Sequence, residues 1–443
     1  MLIVDEFSMM NADVLYRIIH LRLREATQIN KVSVFLFGNP AQLKPVLGSY
    51  IFEAPNCQDY KLAYGDGSES LWRSFEVLNL EENHRQGKDK IYAEMLNRIR
   101  LGKQTKEDIK ILKSRIRPKG HADLKEALFI SAMVKPVAVF NENALNRLPG
   151  KLYVSKATHI QAMTKSYKPR IDTITGRVGD TQYVDKLNLK IGARVMLIFN
   201  IDVSDLLYNG SVGTLVGIEE NKKCIVIALI IKFDNPATGQ ESRKQNPMML
   251  MKYPGGTLIK KKEQDYSLAR KGGLISSTAK LIQYPIVLAW AVTVHKFQGQ
   301  TVKHPQKVVI DLRSVFEAAQ AYVMKSRVQE LEQLYILDKL PEEKIYANHK
   351  ALGEIERLIE VSINNNPAEW DKEKDELKTK IFFLNCRSMK NKFQHIESDS
   401  NLQGSDIFIL IETWLEYKQT ETKYELPGFK SNFNSLGILQ TRK

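Results

Sequence analysis

The chain has 443 residues, which at roughly 150 residues per domain is enough for about three domains. Hydrophobic residues make up 43% of it and charged residues 26%, a composition that excludes an intrinsically disordered chain. Lys and Arg number 65 against 51 Asp and Glu, and the net charge of +14 favours a polyanionic partner, with nucleic acid as the first candidate. The three cysteines are far apart and lack CxxC spacing, which argues against a zinc site or a disulfide framework and predicts a reducing compartment.

The first 80 residues alternate between strand and helix patterns. Residues 2–4 and 32–37 are short apolar runs, and a helical pattern capped by Asn11 lies between them. Strands that alternate with helices in this way are typical of a parallel α/β sheet. The sequence therefore predicts such a sheet at the start of the chain.

A second α/β layer and a β-rich insertion follow. From about 180 to 275 the sequence consists of short β-like runs, broken by Asn-Gly at 209–210 and by clusters of Gly, Pro and Lys. We expect this stretch to be inserted into the second layer. The segments predicted for that layer are helices at 88–116, an apolar run at 127–139, a further apolar run at 284–294, a strand at 307–312 and a helix at 316–335.

The last hundred residues differ in composition. Residues 341–378 are charged, follow a helical pattern and contain the run Asn-Asn-Asn-Pro at 364–367, a composition typical of a linker. Apolar runs at 380–384 and 406–411 then predict two strands of another unit.

Two carboxylates follow the first predicted strand directly. Asp5 and Glu6 end an apolar run, as in the Walker B pattern, in which one carboxylate holds Mg²⁺ and the next orients the attacking water. Alone, the pattern equally fits a strand that ends in solvated charges. Gln42 follows the next strand through a tight turn, and the carboxyl ends of parallel strands share one edge of a sheet. We therefore expect Asp5, Glu6 and Gln42 to lie at one edge, although Gln42 could also be an ordinary turn residue.

Six motifs then occur in the order seen in superfamily 1 DNA helicases. The chain resembles the petite-integration-frequency (PIF) family, relatives of RecD, over about residues 1 to 340. The motifs are DEFSMM (5–10), GNPAQLKPV (38–46), ENHRQ (82–86), NGSVGTLVG (209–217), TVHKFQGQT (293–301) and AYVMKSRV (321–328).

The resemblance implies a role for each motif residue. Asp5 would hold Mg²⁺, Glu6 would polarise water and Gln42 would sense the γ-phosphate. Arg85 and Arg327 would close on the phosphates, where two guanidinium groups stabilise developing negative charge. The remaining implied residues are Gln298 and Gly299 on the ATP side and His295 and Lys296 on single-stranded DNA.

Other interpretations of these residues remain open. Each arginine, taken without the family, is more simply a solvated helix residue, and His295 could be a structural histidine. The basic run Lys260-Lys261-Lys262 could follow a nucleic-acid backbone, although such a run is more often a solvated hairpin tip.

The sequence departs from the family pattern in several places. Asn39 replaces an Asp, Lys44 a proline and Phe297 a serine, and Lys325 interrupts an apolar run before Ser326-Arg327. The 443 residues contain no G-x-x-x-x-G-K-[ST] loop, whose backbone N–H groups and lysine clamp the phosphates of ATP. We therefore expect a first lobe truncated before Walker B and no ATP turnover by the chain as it stands.

The C-terminal residues resemble a second family. FLNCRSMKNK (383–392) and DIFILIETWL (406–415) are similar to the opening of endonuclease/exonuclease/phosphatase domains of the non-LTR retrotransposon type. The resemblance assigns Asn385 and Glu412 to metal and scissile-phosphate binding, and Mg²⁺ suits such oxygen ligands. The later catalytic residues of that family would lie beyond Lys443. The combination with helicase motifs resembles Helitron-like transposons of the Helentron branch.

These observations give one expected organisation. The fold class is α/β, with two RecA-like lobes of the P-loop NTPase class, the first truncated, a small β-barrel-like insertion in the second, and a partial endonuclease-like unit. The expected ranges are 1–80 for the first lobe, 81–180 with 276–340 for the second, 181–275 for the insertion, 341–378 for the linker and 379–443 for the last unit.

The implied function is ATP-dependent 5′-to-3′ unwinding of DNA in transposition, recombination or repair, with Mg²⁺ as cofactor and ATP as substrate. The alternatives are a non-catalytic remnant that binds single-stranded nucleic acid and a tethered Mg²⁺-dependent endonuclease. Expected partners are single-stranded DNA and DNA junctions. The chain has no run of about 18 apolar residues and no basic signal region, so we expect no membrane partner and an intracellular location in the nucleus or the mitochondrion.

Overall fold

The computed structural model divides the chain into two compact units. Unit 1 contains Met1–Ala144 and Trp290–Asn366, and unit 2 contains Leu145–Ala289 and Pro367–Lys443. The residues that the structure describes are 2–18, 34–46, 48–64, 70–80, 83–160, 171–179, 181–269, 275–364, 381–385, 407–411, 429–434 and 437–442.

The elements of the described residues are numbered in chain order. The helices are α1 (Ala12–Tyr16), α2 (Gln58–Tyr64), α3 (Lys90–Arg100), α4 (Lys106–Ser114), α5 (Val134–Arg147), α6 (Gln240–Lys244), α7 (Pro247–Lys252), α8 (Gln320–Lys325) and α9 (His349–Asn364). The strands are β1 (Leu2–Val4), β2 (Val34–Leu36), β3 (Ile116–Arg117), β4 (Leu128–Ser131), β5 (Tyr153–Lys156), β6 (Thr158–Ile160), β7 (Lys186–Leu189), β8 (Arg194–Leu197), β9 (Val212–Glu220), β10 (Val226–Phe233), β11 (Thr257–Ile259), β12 (Lys262–Ala269), β13 (Ile275–Gln283), β14 (Ile286–Leu288), β15 (Ala291–Thr293), β16 (Val308–Asp311), β17 (Leu334–Leu337), β18 (Ile381–Asn385), β19 (Ile407–Ile411), β20 (Phe429–Asn434) and β21 (Gly437–Arg442).

A five-stranded parallel sheet forms the main core of unit 1. Its strand order is β15-β4-β16-β17-β3, and every neighbouring pair is parallel. Parallel strands are buried on both faces, which explains the continuous apolar run of β16 and the complete burial of Ile130, Val308 and Ile336. Helix α3 packs on this core through Tyr92 and Met95. The predicted second α/β layer is therefore present.

The first predicted strands form a separate parallel pair. β1 and β2 run in register from Leu2 opposite Val34 to Val4 opposite Leu36. The two backbone segments that follow β1 and β2 also lie next to each other, because the Phe7 amide donates to the Phe37 carbonyl oxygen over 3.0 Å. A Cβ on Gly38 would lie 2.9 Å from the Phe7 nitrogen, so only glycine allows this approach. The predicted α/β start of the chain is confirmed, with Asn11 accepting a hydrogen bond from the Val14 amide at the start of α1.

Two expectations for the end of unit 1 need correction. The helix predicted at 316–335 is wrong: α8 ends at Lys325, and a 3₁₀ turn and β17 follow. The helical pattern is interrupted there because the buried side chain of Arg327 bonds to backbone carbonyl groups. The segment expected to be a linker also contains α9, which belongs to unit 1 and packs on its first residues. Trp72 Nε1 donates to Glu354 Oε1 over 2.7 Å, and Leu358 packs with the buried cluster around Trp72.

Unit 2 contains antiparallel sheets between residues 153 and 288. One has the order β11-β10-β9-β8-β14, another the order β12-β13-β6, and β5 pairs with β7. The β-like runs predicted around 193–199, 213–218 and 223–233 are present as β8, β9 and β10. Antiparallel strands also lie on both sides of the expected bounds of 181 and 275.

The C-terminal strands form a four-stranded sheet of order β18-β19-β21-β20. β18 and β19 are parallel, with Asn385 opposite Ile411, and the other neighbours are antiparallel. The two strands predicted at 380–384 and 406–411 are therefore present. None of the helices in the described ranges has the length and apolar character that a membrane crossing requires.

Candidate nucleotide site

The carboxylates that follow β1 lie on a sharply turning backbone. Glu6 has φ of 54° and ψ of 45°, the left-handed region that residues other than glycine seldom adopt. The Asp5 side chain is exposed, and its Oδ1 accepts a hydrogen bond from the Glu6 amide over 2.8 Å. Unusual backbone of this kind costs about 1–2 kcal/mol and persists where the surroundings hold it. The residues around Glu6 are therefore candidates for a functional site.

Gln298 holds the Glu6 side chain. Its buried Nε2 donates to Glu6 Oε2 and to Ser8 Oγ, each over 3.0 Å. Gly299, with φ of 77°, follows, and a Cβ there would lie 3.3 Å from Glu6 Oε1. The structure thus brings Glu6, Gln298 and Gly299 together, as the motifs predict, although 292 residues separate Glu6 from Gln298.

Two arginines meet at Ser326. Arg85 Nη1 donates to the Ser326 carbonyl oxygen over 3.3 Å, and Arg327 Nη2 donates to Ser326 Oγ over 2.8 Å. Arg327 is only 1% exposed, and it also donates to the carbonyl oxygens of Val323 and Gln300. The interpretation of Arg327 as a solvated helix residue is therefore wrong.

The charges of this group act on one another. Burial, followed by the nearby charge of Arg85, lowers the pKa of Arg327 to about 9, and Glu6 acts in the opposite direction. Arg327 still carries its proton at pH 7. The buried guanidinium of Arg327 therefore lies near the partly exposed side chains of Arg85 and Glu6, and the two positive charges would attract a polyanion there.

Gln42 lies in the turn after β2, on the same edge as Asp5 and Glu6. Its amide donates to the Asn39 carbonyl oxygen over 3.1 Å, and Asn39 Oδ1 accepts from the Ala41 amide. Leu43, next to it, is completely buried in the core of the parallel sheet and anchors the turn. Gln42 Oε1 is shielded from solvent and accepts no hydrogen bond in the described part of the chain.

The residues expected on DNA follow β15. His295 and Lys296 lie in a 3₁₀ turn, Lys296 exposed and His295 half-buried. Burial lowers the pKa of His295, and the charge of Glu317 partly opposes that shift. The imidazole is therefore mostly neutral at pH 7, whereas Lys296 can offer a charge to a phosphate. Contact of either residue with DNA stays a prediction.

Comparisons with known proteins show which proteins the chain is similar to. No protein-family model matches the chain. The ATP-dependent DNA helicase PIF1 of Danio rerio is 26% identical over 391 residues, which cover 84% of this chain and 52% of the relative. The Pif1 helicase of Campylobacter jejuni is 27% identical over 332 residues, which cover 74% of this chain and 67% of that protein. The chain is a homologue of the PIF1 helicases.

A solved structure supports the same fold. The crystal structure of Bacteroides Pif1 bound to ssDNA matches with a TM-score of 0.57 and 23% identity, over 82% of this chain and 76% of that one. The predicted RecA-like α/β fold is thereby confirmed. The chain spans about half the length of its relatives from Danio rerio and Emericella nidulans. The endonuclease-like assignment of residues 379–443 stays a prediction.

Of the residues expected to bind metal, the structure describes Asp5 and the backbone of Asn385 but not Glu412. Asp5 offers one exposed carboxylate at a strand end, which fits Mg²⁺, because this ion commonly takes one or two carboxylates and completes its shell with phosphate and water. No cluster of three His, Cys, Asp or Glu side chains suited to a metal occurs among the described residues. Glu412 lies outside those residues, and Asn385 ends β18.

Sequence reasoning missed three residues of the site. Gln86 is buried, and its Nε2 donates to the carbonyl oxygens of Ser326 and Val328, over 3.4 and 2.6 Å. Ser326 lies between the two arginines, and Ser8 shares the amide of Gln298. All three residues lie inside the quoted motifs, and that position in the sequence could have indicated that they belong to the site.

Proposed function

We propose that the chain is the motor part of an ATP-dependent DNA helicase that moves 5′ to 3′ on single-stranded DNA. The main support is that residues from five of the six motifs meet in unit 1. Glu6 binds Gln298, and Arg85 and Gln86 reach the Ser326 carbonyl beside the buried Arg327. Gln42 extends from the same sheet edge as Glu6.

The side chains suggest how ATP would be used. Mg²⁺, held by Asp5, would neutralise phosphate charge and align the phosphates. Glu6 would accept a hydrogen bond from the attacking water, and the amide of Gln298 keeps its carboxylate oriented. Arg85 and Arg327 would bind the phosphates, because an anion would offset the burial and the nearby Arg85 charge that together lower the pKa of Arg327.

Hydrolysis of ATP tests the role of Glu6. The 443 residues contain no G-x-x-x-x-G-K-[ST] loop, so the purified chain should hydrolyse ATP no faster than its Glu6→Gln variant. DNA-stimulated hydrolysis that disappears in Glu6→Gln would show that other residues cradle the phosphates.

A longer protein gives the complementary test. If the full transcript encodes a P-loop, the protein that includes it should show DNA-stimulated hydrolysis, and Glu6→Gln should lower the rate by about 10²–10⁴-fold. Glu107→Gln, a change of an exposed carboxylate on α4, is the matched control and should leave the rate unchanged. Equal rates in the parent and Glu6→Gln would refute the proposed role of Glu6.

The partners and setting follow from the same proposal. The relatives are named DNA helicases and a neighbouring structure is bound to ssDNA, which supports single-stranded DNA and DNA junctions as partners. The proposed setting is the nucleus or the mitochondrion, in the context of a Helitron-type mobile element. Detection of a tagged full-length product in neither compartment would contradict that setting.

The pairing of β18 with β19 favours a second candidate, an Mg²⁺-dependent endonuclease tethered to the helicase part. Asn385 ends β18 opposite Ile411, which ends the parallel neighbour β19 and directly precedes Glu412 in the sequence. The chain itself should not nick plasmid DNA in Mg²⁺, because one ligand pair supplies neither a general base nor a leaving-group acid. A protein extended through the later motifs of that family should nick, and Glu412→Ala should abolish the activity; equal nicking by both would reject the assignment.

A further inference from the structure

A cavity of about 780 Å³ opens in unit 1 beside the turn that follows β2. Pockets that hold small ligands in proteins measure about 300–1,000 Å³, so a nucleobase has ample room. Four separate stretches of chain contribute the wall, which includes Lys44, Tyr50, Leu101, Ala318, Tyr346 and Lys350.

The two tyrosines differ in how firmly they are held. The Tyr50 ring stacks on Phe52 with centroids 4.7 Å apart and an angle of 15° between the planes, and its hydroxyl accepts a hydrogen bond from Asn348 Nδ2. Tyr346 is 41% exposed. The cavity therefore has one fixed aromatic wall and one aromatic ring that is open to a ligand.

The lysines at the cavity already have partners. Lys44 pairs with Glu317 over 2.5 Å and Lys350 pairs with Glu53 over 2.6 Å. Because these carboxylates offset the ammonium charges, the cavity is a poor trap for an isolated phosphate. Its lining combines tyrosine and aliphatic side chains with the polar side chains of Gln104, Asn348 and His349. Such a lining suits a flat, uncharged heteroaromatic ring better, since these rings stack on aromatic side chains and form hydrogen bonds at their edges.

The cavity adjoins the residues expected on DNA. Glu317 is the partner of Lys44, and its negative charge acts to raise the pKa of the His295 imidazole and the pKa of the Tyr50 hydroxyl. Lys44 of the cavity wall and His295, which is expected on DNA, therefore have Glu317 as a common neighbour.

We propose that this cavity takes one nucleobase of the bound DNA strand, stacked on Tyr346. The proposal rests on the proposed function, because a base reaches the cavity only from a single strand that crosses unit 1. Recognition is by stacking, which every base allows, so binding here is tolerant of sequence.

Fluorescence anisotropy with two labelled 20-nucleotide strands tests the cavity. One strand is oligo-dT and the other has the same backbone with abasic sites. Tyr346→Ala should weaken binding of oligo-dT about tenfold, within the roughly 1–3 kcal/mol that one stacked base contributes, and should leave binding of the abasic strand unchanged. Tyr346→Phe keeps the ring and should bind both strands like the parent, and circular dichroism checks that each variant is folded.

The possible results separate the cavity from the proposed function. If the folded parent binds neither strand, the proposed function fails. If the parent binds oligo-dT and Tyr346→Ala binds it equally well, the cavity proposal is overturned and the proposed function stands. Equal weakening for both strands would also overturn it, because Tyr346 would then act on the backbone or on the fold.

Discussion

At the scale of single residues, Gly299 is a position where the site leaves little room for a side chain. Its φ of 77° disfavours any Cβ, and a Cβ would also lie 3.3 Å from Glu6 Oε1. We expect Gly299→Ala to lower the free energy of unfolding by about 1–2 kcal/mol, measured by urea denaturation. Gly353→Ala is the matched control, since its Cβ would meet nothing within 4 Å on helix α9, and it should stabilise by about 0.5–1 kcal/mol. Equal effects of the two changes would refute this account.

Lys325 is a second residue with a measurable consequence. It is completely buried, and burial lowers its pKa to about 7. Its Nζ donates to the Ala321 carbonyl oxygen over 3.3 Å, and no ion pair involves it in the described part of the chain. In the unfolded chain its pKa is about 10.4. The unfolded state therefore binds more protons between pH 7 and pH 10, and stability falls as the pH falls through that window.

Replacement of Lys325 by an apolar side chain removes this penalty. We expect Lys325→Met to raise the free energy of unfolding by roughly 2–4 kcal/mol at pH 7 and by much less at pH 10, as measured by urea denaturation at both values. Lys110→Met, on the exposed face of α4, should change stability little at either pH. If the gain from Lys325→Met is the same at both pH values, the pKa of Lys325 does not differ between the folded and the unfolded state, which contradicts this account.

The residues of the site were only partly predictable. Asp5, Glu6 and Gln42 could be placed at one sheet edge from local patterns, because parallel strands share an edge. The contact between Glu6 and Gln298 joins residues 292 positions apart, and no local pattern encodes such a contact; only the order of motifs pointed to it. The lysine run at 260–262 is not a hairpin tip, because it connects β11 and β12, which belong to different sheets. Lys260 is exposed, whereas Lys261 is partly buried, donates to the Lys156 carbonyl oxygen and lies 5.5 Å from the centroid of the Tyr284 ring.

At the scale of elements, apolar runs predicted strands well and helical patterns less well. β16 is a short run that is buried on both faces, which leaves a continuous apolar signal. β1 and β2 are only partly buried, yet they are continuous apolar runs as well. The pattern at 316–335 carries apolar residues at helical spacing, yet the buried polar contacts of Arg327 end the helix. Tertiary contacts of this kind override local propensity, so sequence spacing alone could not place the end of α8.

Helix α9 provides an element-scale prediction, because its packing distinguishes a structural helix from a linker. Ile355 is 8% exposed and Ile359, one turn further on, is 43% exposed. Ile355→Ala should lower the free energy of unfolding by about 2–4 kcal/mol, the usual cost for a buried aliphatic side chain. Ile359→Ala should cost less than about 1 kcal/mol. Urea denaturation followed by tryptophan fluorescence measures both, and equal small effects would show that α9 does not pack on unit 1.

At the scale of the whole molecule, the charge of +14 predicts how DNA binding depends on salt. Each neutralised phosphate of a single strand contributes about −0.7 to the slope of log affinity against log salt, because condensed counterions are released. Contact with about three to five phosphates should lower the affinity roughly 20–100-fold between about 50 and 200 mM salt. Fluorescence anisotropy measures this dependence, with circular dichroism at each salt concentration as the control for folding. A folded protein that binds no single-stranded DNA at low salt would contradict both the helicase proposal and the interpretation as a binding remnant, and affinity independent of salt would show that the excess basic residues do not face the strand.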